Sequence, residues 1–426
     1  MRDNLLPLGL GLLLAVSGLA ALNGAIVAMA VPLILFAAVR TISSFEARPP
    51  ILEVARHLEQ VRVTEGDQID ATLRIENPGS RLPLIMVEDT IPTPIVVSEG
   101  ASCFLGALPS ADSQELEYVL EIPRGRHEMP GLRVSTWTPW GLSLVEHHIP
   151  VPETLRAHPR YEILDPITIR PRQTRAFAGP VRANQGGIGL DFFGCRAYTT
   201  GDDVRRINWR AFARTGSLIV NDYELERIAD VNIVLDARLR SHVRASTGTT
   251  FDHSVRAAAA MATHFLDQGN NVGLLIYGDH INWVFPGIGS LQRERILDAL
   301  MSAEPTSKAV FEDLRNIPTR LFPARSQLVF VSPEIDQADT EVLGMMVERS
   351  YSILLVSPHV GAHGMEDKKV HPMAVDLANR TMGLKRTLFL DTLAKLGTDV
   401  IDWEIHSPLR VAAHGLHHSR VRRYRR

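Results

Sequence analysis

The sequence predicts a multi-domain protein with α and β structure: a helical hairpin, a β-sandwich-like domain and a doubly wound, mostly parallel α/β sheet. Residues 5–39 carry no charge, residues 51–159 hold short strands between turn residues, and apolar strands alternate with helices beyond residue 227. The chain has 426 residues, 45% hydrophobic and 22% charged, which suffices for several cores. We divide it into residues 1–45, 46–165, 166–227, 228–408 and 409–426.

The uncharged N-terminal run predicts two membrane spans. As one helix it would reach about 52 Å, whereas a bilayer core of about 30 Å needs only some 20 residues. Asn23-Gly24 is a turn signal that divides the run into residues 5–22 and 25–42. Arg2 and Arg40 flank the pair, which predicts a cell-membrane protein with both soluble domains in the cytoplasm. The alternative is a signal peptide cleaved near Ala20, which leaves the second run as an anchor.

The middle of the chain has the pattern of antiparallel strands. Apolar and polar residues alternate in 68–76 and 115–122, and turn signals such as Asn77-Pro78-Gly79 separate the strands. Strands of this length and spacing are typical of a sandwich of two sheets. Residues 167–184 follow as an arginine-rich, irregular connector, which either faces an anionic membrane surface or is a solvated loop.

The chain beyond residue 227 alternates buried strands with helices, which predicts a mostly parallel sheet covered on both faces. The central strands are predicted at 231–235, 271–277, 327–331, 352–357 and 400–405, with a short edge strand at 282–285. Helices are predicted at 251–268, 291–301, 340–349 and 381–396.

Carboxylates follow several of these strands, at the edge where open α/β sheets bind ligands. Asp236, Asp279 and Glu334 are candidate ligands of a magnesium ion. Arg238 and Arg240 stand beside Asp236, however, and their charges would repel a cation. We therefore favour an ion pair of Asp236 with one of these arginines and expect no cofactor, with magnesium as the alternative.

Other potential metal or thiol sites are weaker in the sequence. His414, His417 and His418 have helical ligand spacing, but they lie in an arginine-rich tail that we interpret as mobile and cationic. Cys103 and Cys195 are too few for a disulfide framework, and we expect two buried thiols.

Residues 192–227 concentrate charge around aromatic side chains. Arginines interleaved with Trp209 could bind nucleic acid. The acidic residues of the same segment nearly balance the arginines, which favours an ion-pair network around Trp209 and a structural junction without a nucleic-acid partner.

The order of residues in this segment resembles the signature of the domain-of-unknown-function 58 family (DUF 58). The residues that carry the resemblance are Arg196, Tyr198, Gly201, Asp202, Asp203, Arg205, Asn208, Trp209, Arg214, Glu224 and Glu226. The resemblance implies a membrane-anchored protein whose α/β region is similar to a von Willebrand factor A domain and which works with a MoxR-type AAA+ ATPase. Such domains commonly bind a metal through an Asp-x-Ser-x-Ser motif, of which this chain keeps only Asp236.

These observations predict a non-enzymatic, membrane-tethered protein-interaction scaffold that acts in protein assembly or maturation. The expected partners are the membrane, through the hairpin, and a protein such as a MoxR-type AAA+ ATPase. The alternative is a divalent-metal-dependent enzyme or adhesion module that uses the sheet edge around Asp236.

Overall fold

The computed structural model describes residues 5–46, 50–137, 144–167, 181–239, 244–245, 248–278, 281–306, 322–333, 337–360 and 372–415. The chain forms two compact units, residues 1–157 and 158–426.

The first unit begins with two helices, α1 (Leu5–Ala20) and α2 (Gly24–Glu46). They pack closely where α1 has glycine: a Cβ atom at Gly18 would lie 2.8 Å from the backbone nitrogen of Val27, and one at Gly11 would lie 2.9 Å from Ile34. These contacts show an antiparallel hairpin, with its turn at the predicted position. Among the residues described, no helix combines the length and the apolar character that a membrane crossing requires.

The rest of the first unit consists of two antiparallel sheets. Their orders are β1-β3-β7-β5 and β2-β9-β8-β4-β6. The strands are β1 (Glu53–Leu58), β2 (Arg62–Thr64), β3 (Gln68–Asn77), β4 (Leu82–Asp89), β5 (Val96–Gly100), β6 (Cys103–Leu108), β7 (Asp112–Glu121), β8 (Gly125–Trp137) and β9 (Leu144–His158). Alternate residues of β3, among them Ile69 and Leu73, share one core with Ile85 of β4 and Leu132 of β8, so the sheets form the predicted sandwich.

In its described residues the second unit contains two two-stranded sheets and a six-stranded sheet. The first pairs β10 (Val181–Ala197) with β11 (Ile219–Arg227), and α3 (Trp209–Thr215) lies between them in sequence. The remaining elements are β12 (Asp230–Asp236), β13 (Arg244–Ala245), β14 (Gly248–Thr249), α4 (Thr250–Asp267), β15 (Asn271–Tyr277), β16 (Ile281–Gly287), α5 (Gly289–Met301), β17 (Gln327–Val331), α6 (Gln337–Glu348), β18 (Ser352–His359), α7 (Pro372–Lys395) and β19 (Asp399–Glu404).

The large sheet has the order β16-β15-β12-β17-β18-β19. Its strands are parallel except for the edge strand β16, which pairs antiparallel with β15. The first strand, β12, is therefore central, and the chain continues to one side through β15 and later to the other through β17. This reversal creates a topological switch point at the carboxyl end of β12.

Helices cover both faces of this sheet, as the buried strands predict. On one face α4 and α5 form a core with β12, and the four alanines Ala257, Ala258, Ala259 and Ala260 let α4 lie close to the strands. On the other face Leu343 of α6 and Leu393 of α7 pack against Leu328 and Phe330. The mostly parallel sheet after a β-rich region is confirmed.

Two boundaries differ from the sequence interpretation. Leu164 and Ile167 belong to the core of the second unit, because their apolar side chains pack with α4, so this unit begins after Ala157. Residues 181–184 of the expected irregular connector lie in β10, where Val181, Arg182 and Ala183 pair with β11. The connector residues 168–180, including Arg170, Arg172 and Arg175, lie outside the described residues.

Candidate functional site

The switch point of the large sheet holds a buried cluster of charged side chains. Asp236 is the last residue of β12, and Tyr277 ends the neighbouring strand β15. On the other side Ser332 directly follows β17, and its hydroxyl donates to Asp236 Oδ2 at 2.8 Å. Side chains from three adjacent strand ends therefore meet at the place where an α/β sheet presents its ligand site.

Arg238 fills the centre of this cluster. Its Nε donates to Asp236 Oδ1 at 2.9 Å and its Nη2 donates to Asp236 Oδ2 at 2.8 Å, so the guanidinium and the carboxylate form a two-bond fork. The backbone nitrogen of Arg238 also donates to Asp236 Oδ1, at 3.0 Å. The residue is only 1% exposed, so water does not reach this ion pair.

A second carboxylate approaches the same guanidinium from α6. Asp339, in the first turn of that helix, accepts from Arg238 Nη2 at 2.9 Å and is also buried. The ring of Tyr277 lies 5.4 Å from the guanidinium carbon, within the range of a cation–π contact. We call Asp236, Arg238 and Asp339 the rim triad.

Backbone bonds fix the segment that carries Arg238. Ala237 donates its backbone N–H to the carbonyl of Tyr277 at 2.7 Å, and Thr306 exchanges backbone bonds with Ala237 and Leu239, each at 2.9 Å. The chain that leaves β12 is thereby held against its neighbours, which directs the side chain of Arg238 inward across the ends of the strands.

The guanidinium of Arg238 occupies the position that a cation would take in the rim triad. Burial disfavours the charged guanidinium of Arg238, but the hydrogen bonds and charges of Asp236 and Asp339 outweigh it and raise the pKa of Arg238. Two carboxylates and a serine hydroxyl would suit magnesium, yet the guanidinium already lies between the carboxylates. A metal ion does not fit beside it. Of the predicted metal ligands the structure places only Asp236 here, and Asp279 and Glu334 lie outside the described residues. Arg240, the other arginine considered as a partner of Asp236, also lies outside them.

The sequence interpretation missed Asp339. Its only sequence signal is its position at the start of a helix that follows a central strand, since such helices begin near the carboxyl ends of the strands. Elsewhere in the described ranges no three His, Cys, Asp or Glu residues are grouped to hold a metal. His414 is exposed in the helical segment 409–415, and His417 and His418 are outside the description.

The family-like segment is organised around a different arginine, Arg196 at the end of β10. Its Nη1 and Nη2 donate to the two oxygens of Asp202, at 2.7 and 2.6 Å. Asp202 also accepts from the backbone nitrogen of Thr199 at 2.8 Å, and Asp222 lies 3.4 Å from Arg196 Nε. These bonds clamp the turn that leads out of β10, and we call Arg196 and Asp202 the turn clamp.

The turn clamp shifts the pKa of both partners. The hydrogen bonds from Arg196 and from the Thr199 backbone hold the pKa of Asp202 well below its usual range. The hydrogen bond to Asp202 raises the pKa of Arg196. Both side chains are therefore charged at neutral pH.

Two capping residues shape the chain after the turn. Asp203 accepts from the backbone nitrogen of Arg205 at 3.0 Å and starts a 3-10 turn, Val204–Arg206. Asn208 accepts from Ala211 N at 3.0 Å and starts α3, and its amide nitrogen donates to Asn221 of β11 at 2.9 Å. Gly216 ends α3 with a φ of 67°, which glycine adopts readily.

Trp209 is exposed, contrary to the expected ion-pair network around it. The residue is 59% exposed, and its ring meets that of Phe212 edge to face, with centroids 6.2 Å apart. Asp202 and Asp222 pair with Arg196 instead, because that side chain reaches both from the end of β10. Cys195 is likewise exposed and Cys103 only partly buried, so the expectation of two buried thiols was wrong. The side chains of Glu224 and Glu226 lie outside the description.

A comparison with protein families accounts for this segment. Residues 194–355, which run from the end of β10 through the first half of β18, match the model of the family described as "Protein of unknown function DUF58". Residues 194–355 are therefore similar to the DUF58 family. The matched region includes both the turn clamp and the Asp236–Arg238 pair.

The relatives that were found leave the role of the matched region open. The chain is 23% identical over 244 residues to the uncharacterized protein YeaD of Bacillus subtilis (strain 168), an alignment that covers 55% of this chain and 58% of YeaD. Among solved structures, a FixG-related protein from Vibrio parahaemolyticus matches 26% of this chain and 98% of its own at 12% identity and a TM-score of 0.18. Spo0M from Bacillus subtilis matches 26% of this chain and 51% of its own at 11% identity and a TM-score of 0.17. These scores do not indicate a shared fold.

Proposed function

We propose that this chain is a membrane-tethered protein-interaction scaffold that catalyses no reaction, and that its DUF58-like α/β domain docks a partner protein. The observation that carries the proposal is the position of Arg238. Its side chain fills the switch point, where open α/β sheets bind substrates and cofactors, and bonds two buried carboxylates there. A sheet closed in this way supports a binding surface better than a reaction centre.

The tether in this proposal is the hairpin of α1 and α2. Large apolar side chains are exposed on both helices, among them Leu13 at 64% and Leu35 at 61%. Exposed apolar surface of this extent favours contact with lipid or protein. The 16 residues of α1 span about 24 Å, less than the hydrocarbon core of about 30 Å, so we propose that the two helices enter the bilayer together.

The proposed partner is a MoxR-type AAA+ ATPase, as the DUF 58 resemblance implies, and the proposed setting is the assembly or maturation of other proteins. To test this, the full chain in detergent is immobilised and offered the MoxR-type ATPase purified from the same cells. We expect saturable retention of the ATPase. Retention no greater than on a support carrying an unrelated detergent-solubilised membrane protein would contradict the proposed partner.

The alternative function, a metal-dependent enzyme or adhesion module, has one observation in its favour. Asp236, Ser332 and Asp339 bring three oxygen ligands to one buried point. For the unmodified full chain we expect no increase in melting temperature with magnesium or manganese, because the guanidinium of Arg238 already occupies the position between the two carboxylates. A saturable increase that Asp236→Ala abolishes would support the metal-dependent alternative instead.

A further inference from the structure

We propose that the outer face of α7 binds one helix of a partner protein, and that this partner helix is acidic. The face consists of Leu377, Thr381, Leu384 and Leu388, which we call the α7 stripe. This inference rests on the proposed function, because it names the surface by which the α/β domain docks a partner and the chemistry of the segment that binds there.

Helical spacing places the α7 stripe on one side of its helix. The four residues follow one another after four, three and four positions. An α-helix turns by about 100° per residue, so all four lie within about 60° of one another around the helix axis. From Leu377 to Leu388 the stripe is about 16 Å long. It is therefore one continuous strip of the helix surface.

The opposite side of α7 is fixed to the large sheet. Leu390 and Leu393 pack in the core that this side of α7 shares with the sheet. Arg386 donates from Nη2 to Asp402 Oδ1 at 2.7 Å and to the carbonyl of Ser357 at 2.9 Å. By the same helical spacing, Arg386 and Leu393 lie across the helix axis from the stripe. The stripe therefore points away from the sheet.

The leucines of the stripe are largely exposed. Leu377 is 67% exposed, and Leu384 and Leu388 are each 68% exposed. A single exposed leucine is ordinary on a protein surface. Three of them in one strip form a contiguous apolar surface, which favours contact with a partner.

The width of the stripe favours a helix over a lipid surface as its occupant. Apolar residues at alternating spacings of three and four form the narrow seam along which two helices pack. A helix that lies in a membrane surface presents a broader apolar face. Here Arg380 and Lys385 each lie only about 70° from the centre of the stripe, and the polar Thr381 lies within it.

The charges beside the stripe favour an acidic partner. Arg380 and Lys385 are exposed on its two sides, at the positions from which paired helices contact charges of the other helix. Asp391 and Lys395 lie farther along the same side of α7, and their charges cancel. Glutamates that flank the apolar seam of a partner helix would complement Arg380 and Lys385.

The same charges disfavour a second copy of this chain. In a parallel pair of α7 helices the flanking arginine of one copy would face the flanking lysine of the other, and in an antiparallel pair each would face its like. Like charges in such positions are unfavourable. The C-terminal tail of the chain, with Arg420, Arg422 and Arg423, has the same sign. We therefore assign the stripe to a helix of another protein.

The test uses the full chain in detergent and a fluorescent peptide of four heptads, with leucine at the seam positions and glutamate at the flanking positions. Fluorescence anisotropy, corrected for binding to empty micelles, should show saturable binding that weakens with salt. The matched probe has lysine in place of each glutamate and should bind at least about tenfold more weakly. Equal or tighter binding of the lysine peptide overturns the proposal.

Two pairs of substitutions in α7 locate the binding. Leu384→Ala with Leu388→Ala removes apolar contacts, and Arg380→Glu with Lys385→Glu reverses the flanking charges. Each pair should raise the dissociation constant of the acidic peptide about tenfold or more. We expect both pairs to keep the circular dichroism spectrum of the unmodified chain, because the substituted side chains are exposed and alanine and glutamate favour helix.

Matched controls make the same changes at exposed side chains outside α7. They are Leu291→Ala with Val411→Ala, and Arg295→Glu with Arg410→Glu. The controls should leave the dissociation constant of the acidic peptide unchanged. If the α7 variants bind this peptide as tightly as the controls do, the inference is wrong.

Two further measurements test the other occupants of the stripe. Sedimentation velocity should show no dimer of the full chain that Leu384→Ala with Leu388→Ala dissociates; such a dimer would assign the stripe to a second copy. Phosphatidylglycerol added to the micelles should displace the acidic peptide no more than phosphatidylcholine does. Selective displacement by phosphatidylglycerol would assign the stripe to an anionic membrane surface. Either result overturns the proposal.

Retention of the ATPase separates this inference from the proposed function. If the acidic peptide binds through the stripe while the unmodified chain does not retain the ATPase, the α7 stripe stands and the ATPase is not the partner. If the chain retains the ATPase while the acidic peptide does not bind to the stripe, the scaffold proposal stands and the inference about α7 is wrong.

Discussion

The rim triad and the turn clamp use the same chemistry in opposite settings. In each, an arginine forms a two-bond fork with an aspartate nearby in sequence. Arg238 is 1% exposed, whereas the side chain of Arg196 is 43% exposed. Charges removed from water must be matched by partners, whereas charges in water are already solvated. The comparison predicts that the first pair is indispensable for folding and that the second fixes only a local conformation.

The largest expected effect is the loss of Arg238. Arg238→Ala removes the guanidinium that bonds the two buried carboxylates Asp236 and Asp339, so we expect the free energy of unfolding of the second unit to fall by about 3–5 kcal/mol. Urea denaturation of the full chain, followed by circular dichroism, measures it. Arg196→Ala is the matched control. Equal losses in the two variants would contradict the distinction between buried and exposed forks.

The buried ion pair of Arg56 with Asp89 in the first unit tests whether burial or position in the fold decides how much stability is lost when the arginine is removed. Arg56 donates from Nε to Asp89 at 3.1 Å and from Nη1 to the carbonyl of Val151 at 3.0 Å, and Tyr118 also donates to Asp89. Both charged side chains are 0% exposed. We expect Arg56→Ala to cost about 3 kcal/mol, somewhat less than Arg238→Ala, because the second carboxylate near Arg56, that of Glu153 at 3.8 Å, is partly exposed, whereas both partners of Arg238 are buried. The same denaturation measurement applies. If Arg56→Ala lowers the free energy of unfolding as little as Arg196→Ala does, burial alone does not decide the size of the loss.

An intermediate change in stability should follow when the guanidinium of Arg238 is removed and magnesium is allowed to bind in its place. In Arg238→Ser the oxygens of Asp236, Asp339 and Ser332 would remain around the vacated position, beside the new hydroxyl. Magnesium at tenfold excess over its dissociation constant should restore about 1.4 kcal/mol of stability. Thermal unfolding of the full chain with increasing magnesium measures this, with Arg238→Ser combined with Asp236→Asn as the control. If magnesium does not raise the melting temperature of Arg238→Ser, the carboxylates alone do not define a cation site.

Sequence patterns predicted the framework more completely than the sites. The apolar strands β12, β15, β17 and β18 were predictable because strands buried on both faces need continuous apolar runs. The ion pair of Asp236 with Arg238 could be predicted because the two residues lie two positions apart in the sequence, at the end of one strand. Asp339 was not, because it lies 101 residues from Arg238 and only the topology brings it there.

In the signature segment, residues 192–227, the sequence did not predict which charged side chains pair with each other. Its acidic and basic residues nearly cancel, which suggested a closed network around Trp209. The total charge of a segment does not say which arginine reaches which carboxylate. The end of β10 places Arg196 over the turn, so this one arginine engages Asp202 and Asp222, and three others remain exposed. Which side chains are left without partners depends on backbone geometry, which composition does not contain.

The smallest expected effect is on the turn clamp itself. Arg196→Ala should raise the pKa of Asp202 but leave it below its usual range, because the Thr199 backbone still donates to the carboxylate. A folded pKa below the unfolded one means that the clamp contributes stability above about pH 4 and loses it as the pH falls further. Carbon-detected NMR of aspartate-labelled full chain, with and without the substitution, follows the titration.

High salt should reduce the small stability difference between Arg196→Ala and the unmodified chain but leave the loss in Arg238→Ala nearly unchanged, because ions screen exposed charges far more than buried ones. Equal salt sensitivity of the two variants would show that Arg238 is in effect solvated, and the contrast between the rim triad and the turn clamp would then fail.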